Sequence, residues 1–324
     1  MQGDFEDMIP VQLLVEAAEP RIRAYVRETP LEHSTVLSGL CDAEVYVKLE
    51  NLQRTGSFKV RGAFNRLLSL TEQERTGGIV AASSGNHGAA VALGMSTLDI
   101  AGIIFVPESA SAAKVEKIKR LGAEVRAAKD DSGETELYAR AYAAERGMTY
   151  ISPYNDEAVI AGQGTIGAEI VRQLPSVDAV VASIGGGGLI SGVAGYIKGV
   201  RPGVFALGVS ARNSMAMQAS VVAGRVVETE HRPTLSDGTA GGIEPGAITF
   251  DLCRSLVDEF VDVDEAAIRS ALRLFIESHA MLCEGAAALA IAGLLAAKNR
   301  LRGKNVVVLI CGANITAEKL KEAL

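Results

Sequence analysis

The sequence has no tryptophan, only 5% aromatic residues, four cysteines and no long apolar run. Its core must therefore be aliphatic, and 324 residues at 48% hydrophobic and 22% charged can fill one large or two closely associated globular domains. Cys41, Cys253, Cys283 and Cys311 form no C-x-x-C pair and no Cys/His metal spacing, which argues against a disulfide framework or a structural zinc and suits a reducing cytoplasm. The longest apolar stretch, Gly285 to Ala297, is too short to cross a bilayer and reads as a buried helix. The acidic start, Met1 to Asp7, lacks the apolar core of a secretory signal, so no membrane partner is expected. The net charge of -7 is dispersed: basic residues in Lys114 to Arg126 alternate with Glu116 and Glu124, which leaves no stripe for a nucleic-acid backbone.

What is present is a regular beat. Ile79 to Ala82 reads as a strand, Gly88 to Met95 as a helix and Ile100 to Val106 as a strand ended by Pro107. Helix Lys114 to Leu121, strand Glu124 to Ala127, helix Thr135 to Arg146 and strand Met148 to Ser152 continue it, with Gly122 and Gly147 as helix stops. A second unit has helix Gly164 to Leu174, strand Ala179 to Ile184, helix Leu189 to Lys198 and strand Val204 to Ser210. After a Gly- and Pro-rich stretch, Val221 to Ile248, come helices Ala266 to His279 and Gly285 to Ala297 and a last strand, Val306 to Ile310. Such β-α alternation predicts an α/β protein of two open, mostly parallel twisted sheets covered by helices. Glu50 to Arg61 should lie where the two units meet, a usual place for a ligand cleft.

Four segments can carry chemistry. Gly185, Gly186, Gly187 and Gly188 follow an apolar strand and precede a helix, so bare N–H groups at a positive helix end offer a phosphate site. A tight turn is the plain alternative, but it needs fewer glycines. The loop does not fit G-x-G-x-x-G, no acidic residue ends the next strand, and no G-x-x-x-x-G-K-[ST] occurs, so the phosphate belongs to neither a dinucleotide nor a P-loop triphosphate. Lys59, in Ser57-Phe58-Lys59-Val60-Arg61-Gly62, sits behind the flexible Thr55-Gly56 turn. Imine chemistry there needs its pKa lowered by about three units, about 4 kcal/mol; otherwise it is a solvated surface lysine. Ser83-Ser84-Gly85-Asn86-His87-Gly88 offers hydroxyls, an amide and backbone donors at a strand end, with a capped helix start as the alternative. No G-x-S-x-G elbow covers Ser84, and His87 reads as a structural histidine without a catalytic role. Cys311, in Cys311-Gly312-Ala313-Asn314 after the last strand, can be a small buried hydrophobe, and Glu284 between apolar helices needs a partner or a cleft.

Together these segments resemble the threonine and serine dehydratase family, serine racemase-like, of the fold-type II pyridoxal-phosphate enzymes, whose fold is tryptophan synthase β-like. Lys48-Leu49-Glu50-Asn51-Leu52-Gln53 through Gly62 is similar to the family's lysine segment and Ser83 to Gly88 to its asparagine loop. Val159-Ile160-Ala161-Gly162-Gln163-Gly164-Thr165-Ile166-Gly167 resembles its signature between domains and Gly185 to Gly188 its phosphate cradle.

The resemblance implies pyridoxal 5'-phosphate as cofactor, bound in a large domain of residues 1–52 and 153–324, with a small α/β domain of residues 53–152 and the active site in the cleft between them. It implies that Lys59 binds the cofactor as an imine and acts as the base at Cα. Asn86 would hydrogen-bond the phenolic oxygen, Glu284 would lie near the ring, and Cys311 would face the pyridine nitrogen, where most relatives have serine. Ser83, Ser84, Gly85, Asn86 and His87 would hold the substrate, with Ser84 the candidate acid on the second face.

The cofactor phosphate would then protonate the departing β-hydroxyl, and a small β-hydroxy amino acid, threonine or serine, would yield a 2-oxo acid and ammonia. Sulfur-exchanging relatives read S-G-N-T-G where this chain has His87, which favours elimination. Racemisation and dehydration of hydroxyaspartate or a hydroxyectoine-like compound stay open, as does, from another class, a catalytically silent phosphate-ligand sensor, against which Lys59 argues. A homodimer or higher homo-oligomer is expected. The acidic metal ligands of some relatives are missing from Ser210-Ala211-Arg212-Asn213-Ser214-Met215-Ala216, so no metal is expected. The sequence stops ten residues after Asn314, so an isoleucine-sensing C-terminal domain is not expected either.

Overall fold

Valine-rich and alanine-rich strands, buried on both faces, organise the computed structural model, which describes residues 9–324. The acidic Met1 to Asp7 start therefore lies outside the described residues. In chain order the strands are β1 (Leu31–His33), β2 (Glu44–Lys48), β3 (Ile79–Ala82), β4 (Gly102–Val106), β5 (Glu124–Ala127), β6 (Thr149–Tyr150), β7 (Ala179–Ser183), β8 (Phe205–Ala211), β9 (Glu259–Val263) and β10 (Asn305–Leu309). They form a six-stranded sheet, β1-β2-β10-β7-β8-β9, and a four-stranded sheet, β5-β4-β3-β6. Only β1 runs antiparallel to its neighbour; all other pairings are parallel. The expected architecture of two open, mostly parallel sheets is the one found. Among the described residues no helix is long and apolar enough to cross a membrane, and all four cysteines are free and buried.

Several boundaries differ from the sequence reading. The helix expected from Gly88 starts at Asn86 and runs to Leu98, which places Asn86 and His87 in its first turn. The strand expected from Ile100 starts at Gly102, because Asp99 caps the preceding helix in the left-handed region at φ 53°. The helix expected from Gly164 begins at Glu157, where the Asp156 side chain accepts from Val159 N. Its glycines lowered the helical signal, yet they serve packing. A Cβ on Gly162 would lie 2.6 Å from the Gly62 Cα, and one on Gly164 would lie 2.8 Å from the Gly192 carbonyl oxygen. Thus Glu157–Gln173 touches, nearly backbone to backbone, both Lys59–Leu68 and Gly188–Val200, the helices that follow the lysine segment and the glycine loop.

The same helix supplies Glu169 to a sealed charge cluster. Lys48 Nζ lies 2.6 Å from Glu169 Oε2, Arg61 Nη1 2.7 Å from Glu169 Oε1 and Arg61 Nη2 2.8 Å from Glu50 Oε1, with none of these side chains exposed. Thr29 Oγ1 donates to Glu50, and Lys48 Nζ also donates to the Thr29 carbonyl and to Gln173. Burial alone would raise the Glu169 carboxyl, but Arg61 and Lys48 hold it below the usual range. Two cations against two carboxylates leave no net charge inside, so removal of one member is costly even though the intact group adds little over an apolar core. Glu169→Gln should lower unfolding stability by about 3 kcal/mol or more. Urea denaturation reads this as a fall in midpoint at unchanged slope, and a shift corresponding to less than about 1 kcal/mol would contradict a tightly coupled cluster.

Candidate active site

The lysine segment is pinned to the end of β10. Ser57 forms a bridge with Gly312, Phe58 N donates to the Cys311 carbonyl at 3.0 Å and Ala313 N to the Gly56 carbonyl at 2.9 Å. The turn before it places Thr55 (φ 61°) and Gly56 (φ 76°) in the left-handed region. Lys59 therefore opens its helix beside Cys311, half-buried, with Nζ donating to the Pro153 carbonyl at 2.7 Å. Burial lowers its pKa to about 8, against the opposing pull of Cys311, Glu136 and Glu284. This is the direction imine chemistry needs.

Gly185 to Gly188 lead from β7 into the Gly188–Val200 helix, whose N-cap, Gly187, adopts φ 86° and offers no side-chain cap. The loop has no room for side chains: a Cβ on Gly186 would lie 2.4 Å from the Tyr154 ring, and one on Gly185 2.9 Å from the Thr239 Cα. Uncapped first-turn N–H groups at a helix start fit a phosphate dianion.

Ser83 to Gly88 stands at the carboxyl end of β3. Ser83 Oγ accepts from Gly85 N at 3.1 Å, and the helix from Asn86 again lacks a side-chain cap, so its first amides are free to receive a carboxylate. Ser84 is half-buried in the same turn. Asn86 Nδ2 donates to both oxygens of Glu284, at 2.8 and 3.0 Å, and its Oδ1 accepts from Asn314 Nδ2. Asn314 N donates to Glu284 Oε2 at 2.9 Å, and Lys117 Nζ donates to Asn314 Oδ1. Glu284 is almost wholly buried, and burial pushes its pKa up to about 7, with Asn86 and Asn314 pulling the other way. Cys311 Sγ lies 4.0 Å from Glu284 Oε1 and 3.9 Å from Ser183 Oγ. Burial, then the Glu284 charge, raises the thiol well above its usual value, so Cys311 is neutral.

The structure thus brings Lys59, Asn86, Glu284 and Cys311 together. His87 is different: its ring is buried, Nε2 is 2.9 Å from the Ile151 carbonyl oxygen, and burial lowers its pKa to about 3. The neutral ring donates to the Ile151 carbonyl just past β6, which leaves the His87 backbone N–H as its group for a ligand. Sequence reasoning missed Asn314, Pro153, Tyr154, Glu136 and Glu244. Asn314 stood in the quoted strand-end segment, and Ser152-Pro153-Tyr154-Asn155 carries a proline turn signal, but nothing local reveals their partners. Among the described residues no group of three or more His, Cys, Asp or Glu is placed to hold a metal ion.

The donor set fits one cofactor. A lysine with lowered pKa, a side-chain-free glycine loop at a helix start and a neutral thiol suit pyridoxal phosphate. Comparison with known proteins agrees. The family model described as "Pyridoxal-phosphate dependent enzyme" matches residues 22–312. The chain is 42% identical over 307 residues to an L-threonine ammonia-lyase of Thermotoga maritima, covering 93% of this chain and 75% of that protein. It superposes on the processed form of threonine deaminase isoform 2 from Solanum lycopersicum with a TM-score of 0.93 at 33% identity, covering 99% of this chain and 93% of the other. For maize serine racemase the TM-score is 0.90 at 30% identity, with 96% of each chain covered. With most of its length matched by the family model and by its relatives, this chain belongs to the pyridoxal-phosphate-dependent enzymes of fold type II.

Proposed function

We propose that the protein is an ammonia-lyase that dehydrates L-threonine, and L-serine, to the corresponding 2-oxo acid and ammonia. The observation that carries this reading is Lys59, held beside the neutral Cys311 with its pKa lowered to about 8, between a phosphate cradle and a turn of free amides. The name of the Thermotoga maritima relative supports the choice of substrate. A cytoplasmic homo-oligomer is the setting this reading implies, and the four buried free thiols suit it.

Gly185 to Gly188 would hold the cofactor phosphate, Asn86 the phenolic oxygen and Cys311 the pyridine nitrogen. Bound pyridoxal phosphate supplies the electron sink that makes the Cα–H bond acidic. Lys59 would hold the cofactor and would serve as the base that takes the Cα proton. Ser83, Ser84 and the first amides of the Asn86–Leu98 helix orient the substrate carboxylate. Glu284 accepts from the Asn86 amide through both its oxygens, which fixes the orientation of that side chain. The β-hydroxyl leaves as water, and hydrolysis of the released enamine gives 2-oxobutanoate from threonine and pyruvate from serine.

Borohydride reduction and peptide mass spectrometry should place the phosphopyridoxyl group on Lys59; an adduct on Lys48 would overturn the assignment. Lysine attacks only when neutral, so uptake of cofactor by the apoenzyme, followed by absorbance, should quicken as pH rises through about 8 and level off above it. A midpoint at the ordinary lysine pKa would contradict the buried placement of Nζ. In a substrate panel, L-threonine and L-serine should release keto acid faster than their D-enantiomers appear. Accumulation of D-serine ahead of pyruvate would replace this reading by a racemase, for which Ser84 is the acid on the second face. Dialysis against a chelator should leave turnover nearly unchanged, and a large loss reversed by magnesium would reveal a metal site.

A further inference from the structure

A second polar group borders Lys59, and the reaction as described makes no use of it. Arg140, on the Ser132–Glu145 helix, donates to Glu136 Oε1 at 2.8 Å and meets Glu244 Oε2 at 2.8 Å. Its guanidinium carbon lies 4.4 Å from the centroid of the Tyr150 ring, at the end of β6. One buried atom of this group, Glu244 Oε1, has no hydrogen-bond partner, and the buried Tyr150 hydroxyl has Glu136 as its neighbour. An unpaired buried atom is costly and signals a ligand or a strain reservoir.

The group belongs to the cleft. Glu136 is one of the charges that act on Lys59. Glu244 N donates to Tyr154 Oη at 3.1 Å, and the ring of Tyr154 covers Gly186. Tyr154 follows Pro153, whose carbonyl accepts from Lys59 Nζ. Glu136, Arg140 and Tyr150 come from the side of the four-stranded sheet, and Glu244 comes from the loop that follows Asp237–Thr239.

One guanidinium faces two carboxylates, so the wall carries a net negative charge and its only cation is already occupied. A further negative charge is repelled there, whereas the unpaired Glu244 oxygen suits a neutral hydroxyl donor. We propose that Glu136, Arg140, Tyr150 and Glu244 form the wall that selects the substrate's β-side: it accepts an uncharged β-hydroxy side chain and rejects a β-carboxylate, because the charges of Glu136 and Glu244 outweigh that of Arg140. The proposal rests on the ammonia-lyase reading. Rejection of the dianionic substrate is specificity by repulsion, and release of Arg140 should reverse it.

The test uses the holoenzyme and its Glu244→Gln and Glu136→Gln variants, each checked for folding by thermal melting. Binding of two analogues that cannot eliminate, L-2-aminobutyrate and L-aspartate, is followed by the change in cofactor absorbance. Turnover of L-threonine and of 3-hydroxy-L-aspartate is followed as 2-oxobutanoate, oxaloacetate and ammonia. Each variant should shift both ratios toward the dicarboxylate by about tenfold or more, the value of one charge-assisted contact. Adding Arg140→Met to Glu244→Gln should remove the gain. Equal losses for both analogues would mean that the group only holds the two sheets together, and unchanged ratios in either folded variant would likewise overturn the proposal. If the wild type released no keto acid from threonine, the ammonia-lyase reading would fall, while the ratio of analogue affinities would still judge the wall.

Discussion

Two cations and two carboxylates, closed off from water, set the frame on which Lys59 stands. Lys48 and Glu50 come from the end of β2 and the turn after it, Arg61 from the first turn of the lysine helix and Glu169 from the long helix packed against it. Each ion would be expensive to bury alone, so the four must assemble together. Arg61 is two residues from Lys59, and its guanidinium is gripped on both sides by carboxylates. The start of the lysine helix is thereby fixed in position and rotation. A catalytic group on such an element keeps its geometry better than one on a free loop.

Small residues complete that positioning. The glycines of Glu157–Gln173 let its backbone approach both the lysine helix and the helix behind the glycine loop, so the three pack closely. Bulkier residues would push Lys59 and Gly185 to Gly188 apart. The aliphatic, tryptophan-free composition fits this design, since close helix packing here is done by glycine, alanine and valine.

The polar site itself runs against the rules that stabilise the rest. Glu284 is buried with a pKa of about 7, Cys311 is kept neutral, and Lys59 sits with its pKa near 8. None of these would be chosen for stability alone. The parallel topology delivers the site's segments at strand ends: β3, β7 and β10 lead into Ser83 to Gly88, Gly185 to Gly188 and Cys311 to Asn314. The bridge of Ser57 to Gly312 then brings the lysine segment to the same place.

By itself the sequence determined the alternation of strands and helices, because apolar runs and glycine stops are local properties. It determined the parallel α/β class for the same reason, and it marked Lys59, Gly185 to Gly188, Asn86, Glu284 and Cys311, each lying in a segment whose composition departs from ordinary packing. It was weak before Ile79, where β1, β2 and the lysine helix are short and their polar residues are buried by distant partners. It was also weak at β9, a half-buried strand, and across Val159 to Gly167, where glycines that serve tight packing look like a loop. Only the tertiary structure decided that Lys48 is sealed against Glu169, 121 residues away, and not a second candidate at the site. It also decided that His87 turns to the Ile151 carbonyl, that Asn314 reaches Asn86 and Glu284, and that Arg140 meets Glu244. Such pairings depend on which chain segments the sheets and helices bring within hydrogen-bond reach, and no window of neighbouring residues contains that information.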